Sequence, residues 1–486
     1  MQKFFEKYSL GIIVLIAVIL RIFKLRYAFY GHTNELARDL LVSYNFLSQG
    51  DIPLLGPSAS LGGFNFGAFY YYLLAPFVWL SHYYAWGAIA ASGFFSVAQV
   101  VMLYFLLKLW FQDKVPALLG AFLLAISMYD IQNAYYVSNP NLMPFFILVF
   151  FYCLTKIIQG AAGWKTTVIA GVSLGLATQL HATALLILPV VYVLSIFLYR
   201  KIIQVKGIMI TVIFAALTYI PYLVYELQHD FINTFGIFRL GEHYFSFFPH
   251  IISLKAIMIF WYSLVFFKNG YFDFFSINKV IYLAVSFLFV LIAVWVWYKI
   301  RSFRGALTNS PISTEGNFLL LTWMTVGTLI FVFFQGRVPE FYFLVLWPIP
   351  LIYFAYASSW LYKNFPKEAI SLLVLFMMAQ AVQLYYFFPQ IEKKEMDYDN
   401  YKLIFDFTLA SGDSNFKVID DTGYPYFLYY YAKVAKFDGH VSKSLADTIY
   451  FIVQDQDSLS VEPPHYIKTK EYEFSKYHLL EYQRGS

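Results

Sequence analysis

Apolar segments long enough to cross a bilayer recur along this chain, and they leave few alternatives for its fold. A hydrocarbon layer of about 30 Å needs roughly 17–25 apolar residues in a helix. Runs of that kind are read at 9–25, 85–107, 115–135, 141–159, 183–200, 206–227, 276–298, 317–336, 339–361 and 367–389, with a shorter one at 166–180. Of 486 residues, 60% are hydrophobic and 13% charged. A soluble globular chain has no interior for that excess, so the surplus faces lipid. Aromatic residues make up 22% of the chain, which suits interfacial belts and stacking surfaces. Cys153 is the single cysteine and lies in an apolar run, which excludes a disulfide framework and a cysteine-based metal site. The N-terminus carries Lys3 and Lys7 before its apolar run and has no small-residue cleavage site, so it reads as a retained first span.

The net charge of +5 becomes informative once placed along the chain. With eleven spans and the N-terminus inside, the inner loops hold Lys3 and Lys7, Lys108 and Lys114, Lys156 and Lys165, then Arg200, Lys201 and Lys206, then Lys299, Arg301 and Arg304, then Lys363 and Lys367. Every inner turn is basic, as the positive-inside rule requires. Two apolar stretches, 66–80 and 256–267, read as interfacial rather than spanning, because the first is Tyr-rich with Pro76 inside it and the second is short. Counting them as spans would put Lys108 and Lys114 outside. Four polar segments then face outward: 26–84, 136–140, 228–275 and a tail from about 392. In the tail, helix-like 398–409, strand-like 417–420, a Tyr-rich helix near 424–434 and strand-like 450–453 predict a small α/β domain, 392–486, beyond a membrane domain of 1–391. No internal repeat is visible, so an inverted-repeat transporter plan has no support.

In the first outer segment, Leu36, Leu40, Leu41, Tyr44 and Leu47 recur at helical spacing after the capping candidates Thr33 and Asn34, and the pattern ends at Gly50. Glu35, Arg38 and Asp39 fall at i, i+3 and i+4 on the polar side, so two carboxylates flank one guanidinium. Two readings are open: a solvated ion pair, or a reactive cluster beside a loop, 51–65, whose glycines and prolines permit close backbone approach to a ligand. Glycosyl transfer with inversion needs a carboxylate to take the acceptor proton and a cationic setting for the phosphate leaving group. Arg21, Lys24 and Arg26 crowd the outer end of the first span, either as snorkelling anchors or as attractors of a lipid-linked phosphate.

Glu35-Leu-Ala-Arg-Asp39, Asp51-Ile-Pro-Leu-Leu-Gly-Pro57 and the run from Tyr70 to Pro76 resemble the first outer loop of the family 39-like GT-C glycosyltransferases, a group related to protein O-mannosyltransferases and lipid A aminoarabinose transferases. Ser138-Asn-Pro-Asn141 resembles that family's Asn-Pro-Asn turn, and Gly175-Leu-Ala-Thr-Gln-Leu-His181 its Gly-Leu-Ala-x-Gln-x-His element. Tyr225-Glu-Leu-Gln-His-Asp230, followed by Asn233-Thr234, resembles its Glu-x-x-His motif. The motifs are short but their order matches over roughly 10–350. The resemblance implies an all-α polytopic GT-C membrane protein of about eleven transmembrane helices. It also implies an inverting transfer from a polyprenyl-phosphate-linked sugar to a lipid, glycan or protein acceptor on the outer face of the cytoplasmic membrane. The sugar would be hexosyl or pentosyl.

Aligned on Arg38-Asp39, the family's catalytic Asp corresponds to Glu35, which departs from the pattern while keeping the charge; Glu35 is the first candidate for the base and Asp39 the second. Arg38, Arg337, Tyr342, His181, Asn139, Asn141 and Arg26 are the candidates for holding the substrate and its lipid phosphate. Glu226 and His229, at i and i+3, are the candidates for a divalent metal, or else a helix cap and dipole partner. His181 is alternatively a satisfied structural residue, Asn139 and Asn141 turn residues, and Arg337 a partner of Glu340 or Glu242. The partners expected are the donor, the acceptor and membrane lipids, and not nucleic acid. A lipid-linked glycan flippase and a diphosphate-linked glycan polymerase or ligase are the competing functions, and the C-terminal domain is expected to contact the acceptor.

Overall fold

A computed structural model of the chain describes residues 2–23, 25, 34–111, 113–245, 312–336, 338–410, 416–420, 447–453, 465–474 and 477–484. It runs α1 (Gln2–Ile22), α2 (Asn34–Gln49), β1 (Leu55–Ser58), β2 (Asn65–Gly67), α3 (Phe69–Leu80), α4 (Trp86–Phe111), α5 (Lys114–Ile126), α6 (Met128–Tyr135) and α7 (Asn139–Ile158). Then come α8 (Trp164–Leu180), α9 (Ala182–Leu198), α10 (Val205–Leu217), α11 (Ile220–Gln228), α12 (Ile232–Tyr244), α13 (Thr314–Phe333), a 3-10 helix Glu340–Val345, α14 (Pro348–Asn364) and α15 (Pro366–Ala410). Strands β3 (Phe416–Asp420), β4 (Thr448–Val453), β5 (Tyr466–Phe474) and β6 (Tyr477–Arg484) close the chain. The expected span 276–298, the stretch 256–267, the helix near 424–434 and the residues Lys24, Arg26 and Arg337 lie outside the described residues.

By length and composition, four of the described helices can cross a bilayer: Trp86–Phe111, Asn139–Ile158, Thr314–Phe333 and Pro366–Pro389 within α15. Two bent pairs, α5 with α6 at 51° and α10 with α11 at 59°, raise that number to six, and Tyr8–Ile22, Phe69–Leu80 and Ala182–Leu198 are shorter apolar helices. Their outer faces are apolar: α9 exposes Val190, Val193 and Phe197, and α10 exposes Val205, Met209 and Val212. Faces of that kind are stable against lipid and not against water.

The continuous spans expected at 115–135 and 206–227 are each broken, for reasons that can be traced atom by atom. A helix break leaves orphan carbonyls on one side and orphan N–H groups on the other. At the first break Ser127 is extended (φ −62°, ψ 119°). The guanidinium of Arg21 supplies donors to the orphan carbonyls: Nη1 donates to that of Ala125 at 2.9 Å and Nη2 to that of Leu124 at 3.2 Å. On the far side, the Met128 N–H donates to Gln380 Oε1 at 2.7 Å. Arg21 also pairs with Asp130 at 2.5 Å and donates to Ser96, and Ser96 donates to Asp130. Arg21 is 1% exposed. The expectation that it snorkels or meets a lipid phosphate is therefore corrected: its donors are spent inside the protein. At the second break, Pro221 in the first turn of α11 has no N–H to offer the preceding helix. Gln179 Nε2 donates to the Thr218 carbonyl there, at 2.9 Å. The span expected at 339–361 also opens on a 3-10 helix rather than on an α-helix.

Residues 66–80, read as interfacial, form the end of β2 and the 12-residue α3, shorter than a span, with Tyr70, Tyr71, Leu74 and Val78 buried. Loop 51–65 is built on a short hairpin. Leu55–Ser58 and Asn65–Gly67 pair antiparallel, and the glycines serve protein–protein approach. A Cβ at Gly56 would stand 2.2 Å from the Gly67 carbonyl oxygen, and one at Gly67 1.9 Å from Gln179 Oε1. The C-terminal sheet has the order β3-β4-β6-β5, with β3 and β4 parallel and the other pairs antiparallel. Its central strand β4 is buried at every position, as a continuous apolar run should be. Strands β5 and β6 go beyond the expected elements, and α15 continues through the expected helix 398–409 without a stop at Pro389.

Removing Asp130 alone strands a buried guanidinium, which should cost about 3–5 kcal/mol. Thermal unfolding in detergent should therefore place Asp130→Ala far below wild type, with Arg21→Met/Asp130→Ala recovering a large part of the loss. Equal midpoints for Asp130→Ala and wild type would contradict the structural role of the pair.

Candidate functional site

The first wall of the site is α2. Of its periodic residues Leu36 and Leu40 are buried, with Ala37 beside them, and Leu41, Tyr44 and Leu47 half-buried; the helix ends at Gly50 with φ +78°, a left-handed residue of the kind that stops helices. Glu35 stands exposed at its start. Asp39, expected on the polar face, is 2% exposed instead. Its burial is compensated: Arg38 Nε and Nη2 donate to Oδ1 at 2.9 and 2.8 Å, and the Tyr71 hydroxyl of α3 donates to the same oxygen at 3.2 Å. Burial raises the carboxyl to about 6 against the opposing pull of Arg38.

The second wall is the turn from α6 to α7. Asn141 Nδ2 donates to the carbonyls of Asn133 and Tyr136, at 3.0 and 2.5 Å, closing the C-terminal end of α6. Asn139 Nδ2 donates to the Leu180 carbonyl at 2.5 Å and ties this turn to the end of α8. The amide donors of both asparagines are thus engaged by backbone, which is the turn role.

The third wall is His181, between α8 and α9. It is 3% exposed, and Nδ1 accepts from the Thr183 N–H at 3.3 Å as the N-cap of α9. Burial pushes its pKa down to about 3. The ring is therefore neutral at pH 7, and with Nδ1 accepting, the proton sits on Nε2. Phe66 stacks on it at 5.7 Å between centroids, and Tyr342 meets it edge-on at 4.9 Å. The Tyr342 hydroxyl is 3.1 Å from Ser60 Oγ.

These walls enclose one cavity of about 350 Å³, lined by Glu35, Arg38, Asp39, Asn139, Asn141 and His181 together with Ser58, Ser60, Gln132, Asn133 and Phe341. That volume is within the range of small-ligand sites, roughly 300–1,000 Å³. Six of the residues nominated from sequence converge here, and Tyr342 packs behind His181. Gln132 and Asn133 were missed. The only signal for them was a pair of adjacent carboxamides in a mostly apolar stretch.

Glu226 and His229 lie apart from this cavity and in different settings. Glu226 is fully buried and its Oε2 accepts the Thr234 N–H at 2.8 Å, capping α12. His229 is exposed, stacks on Tyr225 at 3.9 Å and places Nδ1 2.8 Å from the Tyr225 carbonyl oxygen. Beside them, Asn233 accepts from the Asn65 N–H at 2.6 Å and donates to the Asn65 carbonyl at 2.9 Å. This motif anchors the hairpin that forms the cavity's roof. Among the described residues, no three His, Cys, Asp or Glu side chains gather to hold a metal ion.

The sequence matches no protein-family model and no curated protein. Solved structures do match. ArnT from Cupriavidus metallidurans bound to undecaprenyl phosphate superposes with a TM-score of 0.59 at 10% identity over 97% of each chain. Its apo form gives 0.58 at 11%. The oligosaccharyltransferase of Archaeoglobus fulgidus in complex with zinc and sulfate gives 0.51 at 14% identity, over 91% of this chain and 67% of its own. At such identities the likeness is one of fold: this chain has the architecture of the GT-C membrane glycosyltransferases.

With its folded-state value raised from 3.8 to about 6, Asp39 holds in the folded protein a proton that the unfolded chain has released. Its contribution to stability is therefore greatest below pH of about 4 and declines as pH rises to about 6, by about 3 kcal/mol at 1.36 kcal/mol for each pH unit. Melting curves should show wild type losing ground to Asp39→Asn across that window and running parallel to it above. A difference independent of pH would contradict a carboxyl raised by burial.

Proposed function

We propose that this chain is an inverting glycosyltransferase that moves a hexosyl or pentosyl unit from a polyprenyl-phosphate carrier to a lipid, glycan or protein acceptor on the outer face of the cytoplasmic membrane. The outward placement of the cavity follows the topology expected from the sequence, eleven spans with a cytoplasmic N-terminus. One observation carries the reading: Glu35, Arg38, Asp39, Asn139, Asn141 and His181, drawn from three separate stretches of sequence, line a single cavity. The fold neighbour bound to undecaprenyl phosphate supplies the donor class.

Glu35 is the base. It is the exposed carboxylate of the pair, whereas Oδ1 of Asp39 is occupied by Arg38 and Tyr71. The acceptor's nucleophilic atom attacks the anomeric carbon, its proton passes to the Glu35 carboxylate, and the bond from that carbon to the phosphate oxygen breaks with inversion. Charge gathers on the departing phosphate. Asp39 holds the Arg38 guanidinium in place to meet it, and Arg337 is proposed as a second phosphate partner, because Phe341, four residues on, lines the same cavity. His181 adds a neutral donor through Nε2–H. The Archaeoglobus neighbour holds zinc, but the steps proposed here use side chains alone.

A flippase would draw on ionisable groups within the bundle to carry its substrate. Among the described residues, the buried pair Arg21 and Asp130 is engaged by internal partners. A polymerase or ligase differs in using a diphosphate-linked donor.

Assays of purified protein with monophosphate- and diphosphate-linked donors should show transfer from the former. Glu35→Gln should lower kcat by about 10²- to 10⁴-fold, the usual worth of a general base, with donor binding retained. Wild-type turnover by Glu35→Gln would remove the base from Glu35.

A further inference from the structure

We propose that Gln132 and Asn133 form the sugar-recognition face of the cavity, their carboxamides hydrogen-bonding hydroxyls of the transferred glycosyl unit. The inference rests on the transfer reading above and assigns the part of the donor that these two residues contact.

Both residues sit on α6 and both line the cavity. Gln132 is 8% exposed. Its Nε2 and the Nδ2 of Asn133 are buried and have no hydrogen-bond partner among the described residues. Buried amide donors without partners reduce stability, and folded proteins rarely keep them without another use. Their neighbours show that this stretch of chain can satisfy its polar groups. Asp130, two residues before Gln132, accepts from Arg21 and Ser96, and Asn139 and Asn141 spend their amide donors on carbonyls. Gln132 and Asn133 are the pair left over, at the surface of a cavity.

The chemistry of the pair selects the ligand. A phosphate calls for cations, and Arg38 already supplies one on the opposite wall. A carboxamide is neutral and carries both a donor and an acceptor, which matches hydroxyl groups that themselves do both. Phe66, Tyr129, Tyr136 and Phe341 line the same space and offer apolar faces to the C–H side of a sugar ring. A site built to hydrogen-bond a hydroxyl discriminates strongly against ligands that lack it, so these residues would set which sugar is accepted.

The test uses the full chain in lipid nanodiscs, titrated with undecaprenyl phosphate and with undecaprenyl phosphates bearing glucose, galactose or mannose, followed by intrinsic tryptophan fluorescence. The variants are Gln132→Met and Asn133→Leu, which keep side-chain size and remove the amide. Their backbone carbonyls, which accept from Tyr136 and Asn141, are untouched. Wild type should bind at least one glycosylated carrier more tightly than the bare one. Each variant should weaken that carrier by about tenfold while holding the bare carrier within about twofold. Ligand-free melting no lower than wild type shows that both variants fold, as expected when an unsatisfied donor is replaced by an apolar group. Unchanged affinity for the glycosylated carrier in both variants overturns the inference, as does an equal loss for the bare carrier, which would move these residues to the phosphate. A wild type with no preference for any glycosylated carrier also overturns it while the transfer reading stands. A wild type that binds neither kind of carrier overturns both.

Discussion

A buried guanidinium–carboxylate pair at the end of the first helix holds this structure in its shape. Arg21 and Asp130 join α1 to α6, with Ser96 bringing in α4 and the carbonyls of Leu124 and Ala125 bringing in the end of α5. An ion pair in such surroundings is tolerable only when every partner is satisfied. Here the satisfaction is tied to a break in the helix: the guanidinium occupies carbonyls that a straight span would have kept for itself. The 51° bend that results turns α6 aside, and Tyr129, Gln132 and Asn133 of α6 line the cavity. The same principle recurs at the second break, where Gln179 serves the Thr218 carbonyl. The interior polar groups thus shape the irregularities on which the site is built.

The cavity itself divides its labour by environment. Asp39 is buried and committed to Arg38 and Tyr71, Glu35 is exposed, and His181 is neutral and pinned between aromatic rings. Groups held so differently within one space can play different parts in a proton and charge transfer. The hairpin of β1 and β2 closes over them, packed closely against Gln179 at Gly67 and hydrogen-bonded to Asn233 at Asn65. Residues outside the cavity lining therefore keep the roof in place.

Much of this was legible in the sequence, and the exceptions share a cause. Hydropathy and the 3.6-residue period located most of the described helices and the start and end of α2, because burial in lipid or core is what those patterns report. Asp39 was assigned to the wrong face: polarity stood in for exposure, and although Arg38 was legible as a neighbour, nothing local reveals the burial or the Tyr71 hydroxyl that shares in compensating it. Arg21 was misread for the same reason, since its partner is 109 residues away. The Glu-x-x-His spacing suggested a shared site, and it gave no sign that Glu226 is buried against the Thr234 N–H while His229 is exposed. Strands β5 and β6 escaped notice because charged residues such as Lys468, Lys470, Glu471 and Glu473 interrupt the alternation that marks a strand. Gln132 and Asn133 belong to no motif, and what distinguishes them is a lack of partners among the described residues, at the surface of the cavity, which only the structure shows.

The most direct measurement is an experimental structure of the full chain in nanodiscs with a glycosylated undecaprenyl phosphate. The phosphate should lie within hydrogen-bond reach of Arg38, with the sugar between Glu35 and the Gln132–Asn133 face and His181 beside it. A head group bound outside the walls formed by α2, the α6–α7 turn and His181 would contradict the assignment of this cavity as the site of transfer.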